Sequence, residues 1–381
     1  MTIDTAPLFQ PLKLGNIVMA NRMAMAPMTR QRAYLDGTPT AVVVEHYRQR
    51  ASAGLIITEG IAPSQMGLAY LFAPGLWTDR HEAGWKMVAD AVHEEGGHIF
   101  GQIMHSGRLT DELQLNGEQP FGPSAVQPDP TARHYTINCP RAKRVYQRPR
   151  EMTHEEILGE IDAFRDCAVR AQRAGLDGVE IHAASGYLPM QFLSTNTNLR
   201  EDEWGGTVEK RAAFLLACVD AMIDATSKEF VAVKFSPGWQ FHNVFDDDPQ
   251  ATYSYATKEL SKRGIAYLQL GNYGMDWDVY GTLRPLFDGP VGYVAGFTRS
   301  TGAKAIAEGG ADFICYGQNY ISNPDLAERY KNGWGLNKLD ADTYYTQGEE
   351  GYTDYPFYAD SNPDDLVDVD QPPTPIKVYA D

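Results

Sequence analysis

Cysteine is scarce in this chain of 381 residues. The four cysteines are Cys139, Cys167, Cys218 and Cys315. A zinc knuckle or an iron–sulfur cluster needs closely spaced thiolates, and no two of these form a CxxC pair, so no metal site is predicted. Scattered cysteines in mostly apolar contexts are typical of reduced thiols in a cytoplasmic protein, which is the location we expect.

Positive charge and long apolar runs are also in short supply. Lys and Arg number 33 against 50 Asp and Glu, which gives a net charge of −17. Nucleic acid and anionic membranes attract basic surfaces, so neither partner is expected. No run of about 18 apolar residues is present to span a bilayer. The N-terminal segment also lacks the basic start and apolar stretch of a signal peptide.

Short apolar segments recur along the chain, and helical patterns lie between most of them. Near-continuous apolar runs are typical of strands in a parallel sheet that is covered on both faces. The segments are MAMAPM (23–28), GLIITEG (54–60), HIFGQIM (98–104), GVEIHA (178–183), VAVKFS (231–236), AYLQLG (266–271), GYVAGF (292–297) and FICYG (313–317). This alternation predicts an α/β fold, a (β/α)8 TIM barrel, with an open doubly wound sheet as the weaker alternative.

The helix before the fourth strand carries the clearest boundary signals. Thr153 is placed as the N-cap, and Glu156 three residues later completes a capping box. Met152 and Ile157 are spaced as a hydrophobic staple across the same turn. Gly175 is expected to end the helix.

Two segments depart from the alternation. Residues 108–151 are rich in Pro, Gly and Gln, and we interpret them as a cap inserted after the third strand. Residues 359–381 are acidic and punctuated by proline, so this tail is expected either to be mobile or to lie across a neighbouring subunit. The sequence therefore predicts one barrel domain over residues 1–358, which includes the cap, followed by the tail.

Polar side chains and glycines stand at the predicted carboxyl ends of strand after strand. In TIM barrels these ends form the active site. The residues are Thr29, Gly60, Gln102, His105, His182, Tyr187, Lys234, Asn272, Gly296, Gly317 and Gln318. An isolated His182–Tyr187 pair is more often packed core than chemistry, and the position of this pair at the barrel mouth is what favours function. The glycines after the last two strands suit a phosphate, although glycine also simply ends strands.

Ordered motifs over nearly the whole chain resemble the old yellow enzymes, a family of FMN-dependent ene-reductases. They include LFQPLKLGNIVMANRMAMAPMTRQRA (8–33), GVEIHAASGYLPMQFLSTNTNLREDEWGGTVEKRAAF (178–214) and YISNPDLAERYKNGWGLN (320–337). The resemblance implies FMN as cofactor and NADPH or NADH as hydride source. The implied small-molecule substrate is an activated alkene: an α,β-unsaturated carbonyl compound, a quinone or a nitro compound.

The resemblance also implies roles for individual residues. Tyr187 would protonate the carbon next to the carbonyl group, and His182 would donate a hydrogen bond to the substrate oxygen. The substrate would further contact Tyr70, Met104, Ser185 and Tyr345. The cofactor-binding residues implied by the resemblance are Pro27, Met28, Thr29, Gly60, Gln102, Lys234, Gly296, Phe297, Gly317 and Gln318.

This chain departs from the family pattern at ligand-contacting positions. Ser185 stands where the family has Asn or His, Lys234 and Gln318 replace arginines, and Met104 replaces a tryptophan found in many relatives. A lysine keeps the charge but loses the fork geometry of a guanidinium. Gln318 loses a charge-assisted contact with the phosphate. We expect Arg299 to compensate for that loss.

Two alternatives to a working ene-reductase follow from these departures. One is a divergent barrel with weak or no FMN binding, acting as a non-redox isomerase or lyase through Tyr187 and His182, or as a binding protein. The other is a Schiff-base enzyme built on Lys234. The sequence does not choose between NADH and NADPH or name the substrate, and a homo-oligomer is compatible with it.

Overall fold

The eight predicted strands close into a barrel, so the predicted fold is confirmed. The computed structural model describes residues 4–129, 133–135, 143–240 and 242–374, and Cys139 lies outside them. The strands are β1 (Met23–Met25), β2 (Leu55–Ile61), β3 (Ile99–Ile103), β4 (Gly178–Ala183), β5 (Val231–Phe235), β6 (Leu268–Gly271), β7 (Val291–Val294) and β8 (Phe313–Tyr316). All are parallel, and β8 pairs with β1, so the sheet is closed and the open alternative is excluded.

Helices lie between the strands, and further helices follow β8. They are α1 (Ala41–Gln49), α2 (Asp79–Glu94), α3 (His154–Arg173), α4 (Leu188–Leu193), α5 (Val208–Ala225), α6 (Pro249–Arg263), α7 (Val279–Leu283), α8 (Arg299–Ala307), α9 (Gln318–Ser322) and α10 (Leu326–Asn332). Short 3-10 segments span Ala6–Phe9, Gln65–Gly67, Lys228–Phe230, Arg284–Leu286, Ala341–Thr343, Tyr358–Asp360 and Pro363–Asp365. In the described part of the chain, no helix has both the length and the apolar character needed to cross a membrane.

Helix α3 begins and ends as its sequence predicts. The Thr153 hydroxyl accepts from the Glu156 N–H at 3.2 Å, and the Glu156 carboxylate accepts from the Thr153 N–H at 2.9 Å. Met152 and Ile157 are buried beside this turn. The backbone reaches φ +88° at Gly175, a left-handed conformation that glycine adopts without strain. The capping box therefore places the helix that packs outside β4.

The segment between β3 and α3 contains short strand pairs. Phe121–Gly122 pairs in parallel with Arg150–Glu151, and Arg133–Tyr135 pairs antiparallel with Lys143–Val145. Arg108 is buried, and its guanidinium donates to the carbonyls of Val126 at 2.9 Å and His242 at 3.0 Å. Because His242 lies in the loop after β5, Arg108 ties the cap to the barrel mouth.

The described part of the C-terminal tail lies along its own barrel, and the predicted mobility or contact with a neighbouring subunit stays a prediction. Leu366–Val367 pairs antiparallel with Leu336–Asn337. The Asp370 carboxylate then accepts hydrogen bonds from the N–H of Ser300, at 2.8 Å, and from its hydroxyl. An anionic group is stabilised in the first turn of a helix, here α8, which explains why an acidic tail docks there. Residues 375–381 lie outside the described residues.

Candidate active site

Three predicted site residues meet inside the barrel at its carboxyl end. His182 on β4 and Lys234 on β5 are register partners, and Gln102 lies on β3, the other neighbour of β4. All three side chains are buried. The buried strands place them there, since successive residues of a strand alternate between the two faces of the sheet.

Tyr187 lies directly beside His182. It is the N-cap residue of α4, and its ring meets the imidazole edge-to-face with 4.8 Å between centroids. Its hydroxyl is 2.7 Å from the hydroxyl of Tyr70, and one of the two donates to the other. The structure therefore brings together the predicted proton donor, the predicted oxygen ligand and one predicted substrate contact.

Burial sets the protonation states of this pair. Burial raises the pKa of Tyr187 to about 12, opposed by the hydrogen bond with Tyr70, so the phenol keeps its proton at neutral pH. Burial, and then the charge of Lys234, hold the pKa of His182 well below its ordinary value, so the imidazole is neutral. Within the described residues, the buried Nδ1 of His182 has no hydrogen-bond partner. A neutral imidazole and a protonated phenol are both able to donate to a bound oxygen or carbon.

A tyrosine of the cap was missed by the sequence analysis. Tyr146 is buried in one cluster with Met104, Leu109 and Tyr187. Its ring also packs edge-to-face against His242, with 5.3 Å between centroids. The irregular sequence of the cap carries no periodic signal that would have placed this side chain over the mouth.

Tyr345 is held at the rim by a buried arginine. It remains 42% exposed, and its predicted contact with a substrate stays a prediction. The guanidinium of Arg32 donates to the carbonyls of Tyr344 at 2.6 Å, Thr343 at 2.9 Å and Glu350 at 2.8 Å. Arginine offers five donors in a rigid fork, so one side chain holds this whole loop in place.

Met104 packs against Gly60 at the mouth. A β-carbon at Gly60 would lie 2.5 Å from the Met104 sulfur, which is too close for any other residue unless the methionine moves. The register between β2 and β3 also shifts between Ile57 and Gly60. The glycine therefore makes room for Met104, while its predicted contact with a cofactor ring stays a prediction.

Ser185 adopts an unusual backbone conformation between His182 and Tyr187. Its φ is +55°, in the left-handed region, and its N–H donates to the Ser236 hydroxyl at 2.9 Å. The turn lets β4 end and α4 begin within a few residues. It also brings the tyrosine ring edge-to-face against the histidine ring.

The loops after β7, β8 and β1 form the opposite part of the mouth. Ala295 and Gly296 are consecutive left-handed residues with φ of +85° and +78°, and the space beside Gly296 is open. A β-carbon on Gly317 would lie 3.4 Å from the Met28 sulfur, so the β8 and β1 loops are adjacent. Turns of this kind direct backbone N–H groups into a concavity suited to an anion. The neighbouring residues Pro27, Thr29 and Phe297 are half-buried.

Arg299 contacts other parts of the chain, and its predicted compensation for Gln318 stays a prediction. The guanidinium of Arg299 donates to the Tyr330 carbonyl at 2.6 Å and to the Thr5 hydroxyl at 3.2 Å, so it is already engaged. Gln318 itself donates through Nε2 to the Thr374 carbonyl of the tail at 2.8 Å. Among the described residues, its buried Oε1 has no partner.

His105 does not belong to the mouth, contrary to its place among the strand-end residues. It is buried between Phe121 and Phe164, and its Nε2 lies 3.2 Å from the Glu160 carboxylate. Both Phe164 and Glu160 lie on α3, outside the barrel. The chain turns outward after Ile103, which is why a polar residue two positions beyond the strand faces the helices.

Comparisons with known proteins agree with this geometry. Residues 7–337 match the sequence model of the NADH:flavin oxidoreductase / NADH oxidase family. The 12-oxophytodienoate reductase 1 of Oryza sativa subsp. japonica is 37% identical over 363 residues, which cover 92% of this chain and 93% of that protein.

Solved structures match over similar lengths. Morphinone reductase in complex with tetrahydroNAD aligns with a TM-score of 0.89 and 39% identity, covering 93% of this chain and 99% of that one. An old yellow enzyme homologue of Zymomonas mobilis aligns with a TM-score of 0.88 and 38% identity, covering 92% and 99%.

Fold and site together define a TIM-barrel oxidoreductase whose mouth presents a neutral histidine and a protonated tyrosine. The chain belongs to the NADH:flavin oxidoreductase / NADH oxidase family, and the predicted resemblance to the old yellow enzymes is confirmed.

Proposed function

We propose that this protein is an FMN-dependent ene-reductase, which passes hydride from NADPH or NADH to an activated alkene. The observation that carries the proposal is the buried pair of Tyr187 and His182, whose rings meet at 4.8 Å in the protonation states that the chemistry needs. The family description, which includes NADH and flavin, supports the same conclusion. The cytoplasmic location and a homo-oligomeric state stay predictions from the sequence.

The residues at the mouth fit FMN. Gln102 and Lys234 offer an amide and a cation to the polar edge of a flavin ring, and the open loop at Gly296 suits a phosphate. Thr29, Pro27 and Met28 would also hold the cofactor. Gly60, Phe297, Gly317 and Gln318 complete the proposed set. When bound, FMN supplies the hydride.

His182 and Tyr187 act on the two ends of the polarised substrate. As a hydride reaches the β-carbon of an enone, negative charge grows on the carbonyl oxygen, and His182 donates a hydrogen bond to that oxygen. The α-carbon then takes a proton from the Tyr187 hydroxyl, which is replenished through Tyr70 and solvent. Tyr345 and Met104 enclose the substrate, whose size the cap limits through Tyr146.

The test separates the two halves of the reaction. Protein saturated with FMN should show the visible flavin absorption, and NADPH or NADH should bleach it in the absence of oxygen. An enone should then restore the colour and leave the saturated ketone as product. Failure to take up FMN, or bleached protein that no enone, quinone or nitro compound reoxidises, would overturn the proposal.

The alternatives drawn from the sequence are not favoured. An isomerase, a lyase or a binding protein without flavin is at odds with membership of a flavin oxidoreductase family. A Schiff-base role for Lys234 competes with the flavin role that the same position offers.

Changing Ser185 to asparagine should tighten the binding of phenols, which mimic the polarised substrate oxygen, by about tenfold through one added hydrogen bond. Asparagine tolerates the left-handed backbone at this position, where φ is +55°, so the fold should be kept. The measurement is a titration of the flavin spectrum with a substituted phenol. Ser185→Ala is the matched control and should not bind more tightly; equal affinity of the asparagine variant would show that residue 185 does not face the ligand.

Changing Gln318 to arginine should raise the affinity for FMN by about tenfold or more, because a charge-assisted contact replaces a neutral one. Equilibrium dialysis with FMN measures the effect, and riboflavin, which lacks the phosphate, should bind unchanged. Gln371→Arg adds the same charge on an exposed part of the tail and should leave both affinities as they are. An equal gain for riboflavin would place residue 318 away from the phosphate.

A further inference from the structure

A carboxyl group is buried inside the barrel, one layer below His182. Glu180 lies on β4 two residues before His182, on the same face of the strand, and it is fully buried. Gln102 donates from Nε2 to Glu180 Oε1 at 2.7 Å. By strict geometry the other carboxyl oxygen, Oε2, has no hydrogen-bond partner among the described residues, although the Tyr267 hydroxyl lies near enough to oppose the rise in the Glu180 pKa. Ionising a carboxyl group that is fully buried is costly, and the proposed mechanism has not used this group.

Groups from several strands face this carboxyl group. Lys234 approaches it from β5, Tyr267 from the residue before β6, and Cys315 from β8. Gln102 on β3 is neutral, as is His182 above it. Burial raises the pKa of Glu180 to about 7, and the charge of Lys234 limits the rise. Glu180 therefore changes charge in the neutral pH range, with Lys234 as the cation beside it.

The contact with Gln102 links this charge to the ligand site. An ionised carboxylate only accepts hydrogen bonds, so it holds the Gln102 amide with its nitrogen downward and leaves the amide oxygen as the acceptor for a ligand. A protonated carboxyl group is a donor as well, and it permits the reverse orientation. The protonation of Glu180 thus sets both the charge and the hydrogen-bonding polarity that the site presents.

We propose that Glu180 is a positioning residue of the flavin site, which orients Gln102 and takes up one proton when the bound flavin is reduced. The inference rests on the proposed function. A hydride brings two electrons and one proton, so reduction would add one negative charge to a cofactor held by Lys234. Ionised Glu180 would be a second negative charge in a medium of low dielectric constant. Glu180 therefore takes one proton from solvent, which forms an O–H bond on its carboxyl group. The net charge of the barrel interior is the same before and after reduction.

The reduction potential of bound FMN as a function of pH tests the proposal. Above neutral pH, the wild-type protein should take up about two protons for two electrons, whereas Glu180→Gln should take up about one. The reduction potential of the variant should therefore change with pH about half as steeply as that of the wild type. At alkaline pH, the preference for reduced over oxidised FMN should be about tenfold greater in the glutamine variant than in the wild type. This increase should vanish at a pH where Glu180 of the wild type is protonated. Glu180→Asp keeps a titrating carboxyl group and should keep the steep slope.

A second buried carboxylate provides the matched control. Glu160 is 8% exposed and accepts from the Ser64 hydroxyl at 3.0 Å, outside the barrel interior. The reduction potential of Glu160→Gln should change with pH as steeply as that of the wild type. The infrared carboxyl band of cofactor-free protein should titrate near neutral pH and disappear in Glu180→Gln, which is a readout without flavin. Equal slopes in wild type and Glu180→Gln would overturn this inference while the proposed function stands; protein that takes up no FMN would overturn both.

Discussion

Replacing Tyr187 by phenylalanine should slow the reduction of an enone by about 10²- to 10⁴-fold, the usual contribution of a positioned acid. The reduction of bound FMN by NADPH or NADH should keep its wild-type rate, because that half-reaction requires no proton from Tyr187. The substitution removes one hydroxyl group and leaves the ring, which packs edge-to-face on His182, in place. The loss therefore measures proton donation rather than packing.

Stopped-flow measurement of each half-reaction resolves the two rates. Tyr70→Phe is the matched control: it removes the hydroxyl that bonds to Tyr187 at 2.7 Å but leaves the donor, so its effect should be much smaller. Because burial raises the pKa of Tyr187 to about 12, this phenol should contribute no change of rate near neutral pH and should lower the rate only as it ionises. A parallel fall of both half-reactions in Tyr187→Phe would contradict the assignment.

Replacing His182 by alanine should lower kcat/KM for the enone by about 10²- to 10³-fold, the cost of losing one donor to a developing oxyanion. Phenol binding should weaken with it, since phenols occupy the same oxygen position. His182→Asn keeps a donor on a shorter side chain and should restore part of the loss. The test is steady-state kinetics together with phenol titration of the flavin spectrum.

The charge state of His182 gives an independent check on its role. Its pKa lies well below the ordinary value because burial and Lys234 disfavour the cation, so the imidazole stays neutral when mildly acidic pH would protonate an exposed histidine. Wild-type activity should therefore show no transition near pH 6.5, the ordinary histidine pKa, that depends on His182. A transition there that disappears in His182→Ala would mean that the cation, not the neutral ring, is the donor.

The barrel was predictable because its signals are local and repeated. Each apolar run produced a strand, and the capping box at Thr153 placed α3 correctly. His182, Lys234 and Gln102 converge because parallel strands bring their carboxyl ends together. The sequence pattern alone therefore placed His182, Lys234 and Gln102 at one end of the barrel.

What the sequence missed depends on long-range contacts without a periodic signal. Tyr146 reaches the mouth from the irregular cap, and Arg299 donates to the Tyr330 carbonyl of α10. The docking of Asp370 on Ser300 pairs residues that are far apart in the chain. Glu180 had a signal, a charged residue within a buried strand, but its partner Gln102 became evident only in three dimensions.

The two ends of the described chain are anchored on adjacent residues of one helix. Thr5 accepts from Arg299, and Asp370 accepts from Ser300, at the start of α8. Chain ends that lie close together tolerate circular permutation. A short linker could join them, and the chain could be reopened within the cap, so that the new termini emerge beside Tyr146 rather than beside α8.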